Sequence, residues 1–110
     1  MPVPSLERYE DASVLFRALA APVRLAIIDL LATHHQLLVH EIVEAAGVSQ
    51  ALTSQHLRVL RHARLVTRVQ RGRQVMYRLR DPELSSVVSS AVIYCDAQIQ
   101  HSGIAPARRR

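Results

Sequence analysis

Lysine and tryptophan are absent from this chain of 110 residues, which contains only one cysteine and three glycines. With Cys95 alone, neither an internal disulfide framework nor a cysteine-rich zinc ribbon can form. The glycines form no phosphate-binding loop of a known pattern. The longest strongly apolar stretch without a formal charge has twelve residues, Leu84–Cys95, whereas about 20 are needed to span a bilayer. We therefore expect a cytoplasmic protein that does not bind membranes.

Arginine supplies all 14 basic residues, and these are unevenly distributed. The segment from Ala45 to Arg80, called the basic segment below, contains eight arginines and no acid. The whole chain has a net charge of only +5, because the remainder is net negative. A small domain with one such segment predicts a surface that binds nucleic acid. No nucleophile–base pair or carboxylate pair occurs in a pattern typical of a catalytic pocket, so we expect no enzyme activity.

Apolar periodicity predicts five helices in one domain, residues 5–101, between loose tails at residues 1–4 and 102–110. The helices are predicted at residues 6–20, 22–33, 39–46, 50–62 and 82–99. Residues that favour helix ends lie at these boundaries: Ser5, Pro22, Gly47, Ser49 and Asp81, with Pro82 in the first position of the last helix.

The third and fourth helices are separated only by Gly47, Val48 and Ser49. This spacing is typical of a helix-turn-helix. After the fourth helix the apolar period changes from 3.6 to 2 in residues 65–71 and 74–80, with Gly72 between them, which predicts a two-stranded hairpin. A helix-turn-helix followed by a basic hairpin is a winged helix. The predicted fold is therefore mostly α, with the wing between the fourth and fifth helices.

The outward residues of the fourth helix and of the hairpin suit double-stranded DNA. The helix begins with short polar side chains that can contact base edges or phosphates, and arginines follow that suit phosphates. Two further arginines flank the hairpin tip, from which they can reach a phosphate or a minor groove. The predicted DNA contacts are Ser49, Gln50, Thr53, Ser54, Gln55, His56, Arg58, Arg71 and Arg73, and Arg61 lies further along the helix.

Each of these features also has an ordinary structural explanation. The polar face of the fourth helix can be merely solvated. An arginine-rich hairpin can serve as a charged edge that discourages strand addition. His56 can be a half-buried, hydrogen-bonded histidine. The conjunction of turn, cap, polar face, hairpin and acid-free segment favours DNA binding.

Three runs of residues resemble the ArsR/SmtB-type family of metalloregulatory repressors. They are Leu19–Ile27 (LAAPVRLAI), Ser54–Arg61 (SQHLRVLR), and the hairpin with Leu65-Val66, Arg71-Gly72-Arg73 and Tyr77-Arg78-Leu79. The resemblance covers residues 16–81. It implies a homodimeric winged-helix repressor that binds an operator palindrome and releases it on an inducer signal.

The resemblance also implies that the first and last helices form the dimer interface. Apolar stripes on these two helices support this independently, because a small monomer would leave them partly uncovered. The alternative is that both stripes close on the core of their own chain. The predicted interface residues are Ala12, Leu15, Phe16, Val87, Val88, Ala91, Val92 and Cys95.

The metal sites implied by the resemblance are incomplete in this sequence. A Cys-x-Cys-type pair at the third helix corresponds here to Leu38 and His40, which lack the sulfur that arsenic and lead prefer. The site on the last helix corresponds to Asp81, Glu83, Tyr94 and Ala97, which keep two oxygen ligands and no nitrogen ligand. Other metal candidates are His34, His35, His40, Cys95, Asp96 and His101, although histidines in loops are more often solvated and a lone cysteine is more often inert.

The sequence as a whole predicts a DNA-binding repressor without a certain cofactor, for which a transition-metal inducer is one alternative. A thiol-responsive regulator without metal sensing is another. A winged-helix module that binds an acidic protein partner is the alternative from a different class. The combination of glutamine, threonine and serine on the fourth helix argues against that module, because these side chains suit base edges rather than salt bridges.

Overall fold

A computed structural model of the chain describes residues 5–102. It contains five helices and three short strands within this range. In chain order they are α1 Leu6–Leu19, α2 Pro22–Thr33, β1 Leu37–Leu38, α3 Val39–Ala46, α4 Gln50–His62, β2 Val66–Arg71, β3 Gln74–Leu79 and α5 Leu84–Ser102. The predicted tails lie outside the described residues, except that Ser102 ends α5.

The helix boundaries follow from local residues that satisfy or terminate the backbone. Pro22 occupies the first turn of α2, where its missing N–H costs nothing. The Oγ atom of Ser5 accepts from the backbone N–H of Glu7 at 3.3 Å, which caps α1. Gly47 ends α3 with φ +71°, a left-handed conformation that glycine adopts without strain. These boundaries agree with the sequence-based prediction.

The core forms around α2, which packs against α3, α4, α5 and β3. Ile27 and Ile28 of α2 are fully buried. The other buried apolar side chains are Leu19, Leu31, Ile42, Leu57, Leu60, Val66, Tyr77, Leu84 and Val88. Because both helices of the helix-turn-helix pack on α2, this helix sets their position relative to the rest of the fold.

The sheet has three antiparallel strands in the order β1-β3-β2. The hairpin of β2 and β3 confirms the predicted two-stranded wing, and β1 adds a third strand that the sequence analysis did not predict. Leu37 pairs with Tyr77 and Leu38 pairs with Met76, so the residues just before α3 form a third strand. These backbone hydrogen bonds connect the beginning of the helix-turn-helix to the wing.

The last helix begins later than predicted. The carboxylate of Asp81 accepts from the backbone N–H of Glu83 at 3.0 Å, and the N–H of Leu84 donates to the carbonyl of Asp81 at 3.1 Å. Asp81, Pro82 and Glu83 therefore form a turn before α5 rather than its cap and first residues. An Asp-Pro-Glu sequence is compatible both with such a turn and with the start of a helix, which explains why the predicted boundary was displaced.

Beyond Val88, α5 leaves the core, and most of its remaining side chains are exposed. Val88 itself is only 1% exposed and packs within its own chain, so its prediction as an interface residue was wrong. Ala12 and Leu15 are half-buried, whereas Phe16, Ala91, Val92 and Cys95 are exposed. Although it is long, α5 is not apolar enough to cross a membrane, and neither is any other helix within residues 5–102.

Candidate nucleic-acid interface

The helix-turn-helix consists of α3, a turn at Gly47–Ser49, and α4. The Oγ atom of Ser49 accepts from the backbone N–H of Leu52 at 3.1 Å, so Ser49 is the N-cap of α4. This bond uses the Ser49 oxygen as an acceptor and leaves the hydroxyl proton for another partner. Gln50 and Gln55 are exposed on the first turns of α4, and Ser54 is half-buried.

Thr53 does not lie on this exposed surface. Its side chain is 0% exposed, and its Oγ1 atom has no hydrogen-bond partner within the described residues. The prediction of a DNA contact by Thr53 was therefore wrong. Thr53, Leu57 and Leu60 have the spacing of one helical stripe, and all three are buried. This spacing was the sequence signal that could have identified it.

His56 lies against Arg24 of α2 instead of facing outward. The Nη1 atom of Arg24 is 3.3 Å from Nδ1 of His56. Because guanidinium can only donate, Nδ1 must be the acceptor, which requires the neutral imidazole with its proton on Nε2. His56 is therefore the half-buried, hydrogen-bonded histidine of the alternative interpretation. The Nη2 atom of Arg24 also donates to the carbonyl of Arg17 at 3.4 Å, so Arg24 links α1, α2 and α4.

Burial, together with the positive charge of Arg24, lowers the pKa of His56 below its usual value of about 6.5. Below pH 6.5 the unfolded chain therefore binds more protons at this position than the folded chain. The free energy of unfolding consequently falls as the pH decreases from 6.5 through the lower pKa of the folded state. Well above pH 6.5 both states are neutral at His56, and this contribution is constant.

The wing brings arginines to the loop that joins β2 and β3. Arg71 pairs with Gln74, so Gly72 and Arg73 form a two-residue loop. Gly72 has φ +60°, as the first central residue of a type II′ turn requires. Arg71 and Arg73 are both exposed. The turn therefore presents two guanidinium groups at the tip, in agreement with the prediction.

A shallow groove of about 330 Å³ lies between the wing and the helix-turn-helix. Gln50 from α4, His40 from α3 and Arg73 from the wing tip all line it. The sequence analysis named Gln50 and Arg73 as DNA contacts but considered His40 only as a metal candidate. No local signal indicates this position of His40, because it depends on the pairing between β1 and β3.

All eight arginines of the basic segment are exposed. None of their guanidinium groups forms an ion pair or hydrogen bond with another residue of the described range. Their charges are therefore not neutralised by neighbouring carboxylates. An exposed surface of this kind attracts polyanions over distances up to about the Debye length, roughly 8 Å at physiological salt.

The metal candidates are dispersed over exposed positions. His34 and His35 follow α2, His40 lies in the first turn of α3, and Cys95, Asp96 and His101 lie on the exposed part of α5. Within residues 5–102, no three histidine, cysteine or acidic side chains come together in a group that could hold a metal ion. At the implied site on the last helix, Tyr94 and Ala97 supply no nitrogen ligand and Asp81 caps the turn before α5. These residues do not fit the implied metal site.

We predict that Thr53→Val raises the free energy of unfolding by about 1 kcal/mol, because the substitution removes a buried hydroxyl without a partner and conserves the side-chain shape. Urea unfolding at one protein concentration measures this change. Thr33→Val is the matched control: this exposed hydroxyl donates to the carbonyl of Asp29, so its loss should not stabilise the fold. A destabilised Thr53→Val variant would contradict the burial argument.

We predict that Arg24→Gln raises the pKa of His56, because the substitution removes the adjacent positive charge. NMR titration of the His56 ring protons measures this change. Arg68→Gln removes an exposed arginine on β2 and should leave the same titration curve unchanged. If both variants shifted the curve equally, the Arg24–His56 contact would not be its cause.

The family model for "Bacterial regulatory protein, arsR family" matches residues 21–68. This range contains α2, β1 and the complete helix-turn-helix. The chain is 47% identical over 91 residues to the HTH-type transcriptional repressor SmtB of Mycobacterium tuberculosis. That alignment covers 83% of this chain and 67% of the relative.

Solved structures have the same architecture. HlyU from Vibrio cholerae N16961 is 30% identical, with a TM-score of 0.73 over 83% of this chain and 99% of that protein. Mb0332 from Mycobacterium bovis, described as a homodimeric winged helix-turn-helix DNA-binding domain, has a TM-score of 0.75 over 100% of both chains at 23% identity. The fold is thus a winged helix-turn-helix, and the chain belongs to the arsR family of bacterial regulatory proteins.

Proposed function

We propose that this protein is a DNA-binding transcriptional repressor that acts as a homodimer and releases its operator when an inducer binds. The observation that carries the proposal is the groove that Gln50 and Arg73 both line. It combines a side chain suited to base edges with one suited to phosphates, from two elements that are distant in sequence.

In this proposal α4 is the recognition helix and enters the major groove with its N-terminal end. The exposed Gln50 and Gln55 contact base edges there, and a glutamine can bind adenine through two hydrogen bonds. Ser49 and Ser54 contact bases or phosphates near them. Arg24 supports the helix from behind through His56, so this histidine positions α4 rather than touching DNA.

The arginines supply the part of the affinity that does not depend on sequence. Arg58 and Arg61 on α4, and Arg71 and Arg73 on the wing, are exposed and free of ion pairs within residues 5–102. Each arginine that neutralises a DNA phosphate releases bound counterions. The affinity must therefore fall steeply as the salt concentration rises.

We predict that Arg71→Ala and Arg73→Ala each reduce the slope of log affinity against log salt by about 1, because each loses one phosphate contact. Fluorescence anisotropy with DNA from the region upstream of the gene measures the slope. Arg8→Ala on α1 removes the same charge outside the basic segment and should leave the slope unchanged. The absence of any salt-dependent binding, specific or non-specific, would refute DNA binding.

The dimer is supported by the apolar surface that α1 and α5 leave uncovered. Phe16 is 58% exposed and Val92 is 42% exposed. Phe16 also lines an apolar groove of about 310 Å³ together with Leu19 of α1 and with Val87 and Ala91 of α5. Contiguous apolar surface of this kind on a small domain marks a partner surface. A second copy placed on it by a two-fold axis would present two recognition helices to one operator.

We predict that Val92→Glu converts the dimer to a monomer, because the two-fold axis would bring two copies of the new carboxylate into a dry interface. Sedimentation equilibrium compares the mass with that of the wild-type protein. Ser90→Glu is the matched control, since positions two apart on α5 point to nearly opposite sides. A wild-type protein that sediments as a single chain at micromolar concentration would refute the dimer.

A further inference from the structure

A cavity separate from the two grooves described above lies on a part of the basic segment that the proposed DNA interface does not use. It has a volume of about 410 Å³ and lies between the C-terminal end of α2, the end of β3 and the beginning of α5. Pockets of roughly 300–1,000 Å³ are typical of small-molecule sites. The β1 pairing at Met76 and Tyr77 separates this end of β3 from the wing tip.

The ionisable side chains that line this cavity are all basic. Arg78 and Arg80 of the basic segment line it, together with His35 from the segment after α2. No aspartate or glutamate is among the lining residues. The side chain of neither arginine has an ion-pair or hydrogen-bond partner within residues 5–102. Two uncompensated guanidinium groups at one concave surface are suited to an anion, which each can bind through two parallel hydrogen bonds.

The remaining lining gives the cavity an apolar side. Leu31, Leu79 and Pro82 line it beside the arginines. Two hydroxyl groups also reach it, but both already donate to backbone carbonyls: Thr33 to Asp29 at 3.1 Å and Ser85 to Pro82 at 2.8 Å. Their oxygens remain available as acceptors. The cavity therefore combines a cationic end with an apolar wall.

We propose that this cavity binds a small organic anion, a carboxylate or phosphate monoester with an apolar body. The anionic group lies between Arg78 and Arg80, and the apolar body lies against Leu31, Leu79 and Pro82. A bare inorganic anion would leave the apolar wall in water, and a neutral apolar ligand would leave both guanidinium groups without a counter-charge. The cavity volume admits a ligand of the size of phenyl phosphate.

The bound anion also acts on DNA affinity, and this part rests on the proposed function. Its charge neutralises part of the positive potential of the basic segment, which attracts the DNA phosphates. The cavity also joins β3, which carries the wing, to α2 and α5. Ligand and DNA therefore oppose each other, and each lowers the affinity for the other by the same factor. The anion is in this sense an inducer.

The binding test uses ¹H–¹⁵N NMR of the full-length protein without DNA, titrated with phenyl phosphate. We expect saturable shifts in residues 31–35 and 78–85. The double variant Arg78→Gln/Arg80→Gln should bind about tenfold more weakly, because charge-assisted hydrogen bonds are lost. Arg68→Gln removes the same charge from the neighbouring strand β2 and should change the affinity by less than about twofold, as an exposed charge outside the site would.

Two ligand controls make the chemistry specific. Benzyl alcohol lacks the charge and inorganic phosphate lacks the apolar body, so both should bind more weakly than phenyl phosphate. Shifts that do not saturate, or equal affinity in the double variant, would overturn the site. Equal affinity for inorganic phosphate would overturn the role of the apolar wall. Because no DNA is present, these results do not depend on whether the protein is a repressor.

The coupling test adds DNA at constant ionic strength. Phenyl phosphate should weaken the binding of wild-type protein to upstream DNA severalfold more than the binding of the double variant, each compared with its own ligand-free value. An equal change in both proteins would overturn the coupling, since it would arise from the solution and not from the cavity. A protein that binds phenyl phosphate but no DNA would refute the proposed function and the coupling while leaving the site intact.

Discussion

The burial of one helix determines how the rest of the molecule is arranged. Ile27 and Ile28 of α2 are fully buried, and each contributes roughly 1.5–3 kcal/mol through the hydrophobic effect. Both helices of the helix-turn-helix, the wing strand β3 and the last helix α5 pack against α2. Arg24 on the same helix adds polar contacts to this packing, because its side chain hydrogen-bonds both to a carbonyl of α1 and to His56 of α4. A shift of α2 would therefore move every proposed functional surface.

The short strand β1 is the second constraint on the structure, because it limits where the helix-turn-helix can lie relative to the wing. Only two residues pair with β3, yet α3 begins directly after them. The carboxylate of Glu41 accepts from the backbone N–H of Leu38 at 2.8 Å, so the end of the strand and the start of the helix are held together. This connection places His40 and Gln50 beside Arg73. The same strand lies between the wing tip and the cavity at Arg78 and Arg80.

Local signals were sufficient for most of the fold. Pro22, Gly47 and Ser49 determine the ends of α2, α3 and α4 through the backbone of their immediate neighbours, so these boundaries could be predicted from the sequence. The strand β1 could not, because two adjacent leucines have no alternating pattern and their partners lie about 40 residues away. Thr53 was misassigned because its type suggests a polar surface, whereas its position in the stripe of α4 decides its burial.

The candidate site also has parts that local sequence signals predict and parts that they do not. The exposed residues of α4 and the wing tip were predicted because each belongs to one continuous element with a clear period. The groove that joins them, the role of Arg24 and the cavity at the end of β3 all depend on contacts between distant segments. Arg64 is a related case: it lies two residues after the end of α4 and has φ +61°, a conformation that usually favours glycine. An arginine at this position gives no sign of it in the sequence.

The strand order also leaves β2 as a six-residue edge strand, whose unpaired backbone groups form a template for another chain. Arg68 and Arg71 are exposed on this strand, and two copies approaching edge to edge would bring like charges together. The charge of Arg71, which is proposed to meet DNA, therefore also opposes aggregation of the free protein, together with that of Arg68. A substitution that makes this edge apolar would impair solubility even where it left DNA recognition intact, so evolution of the wing is limited by self-association as well as by operator binding.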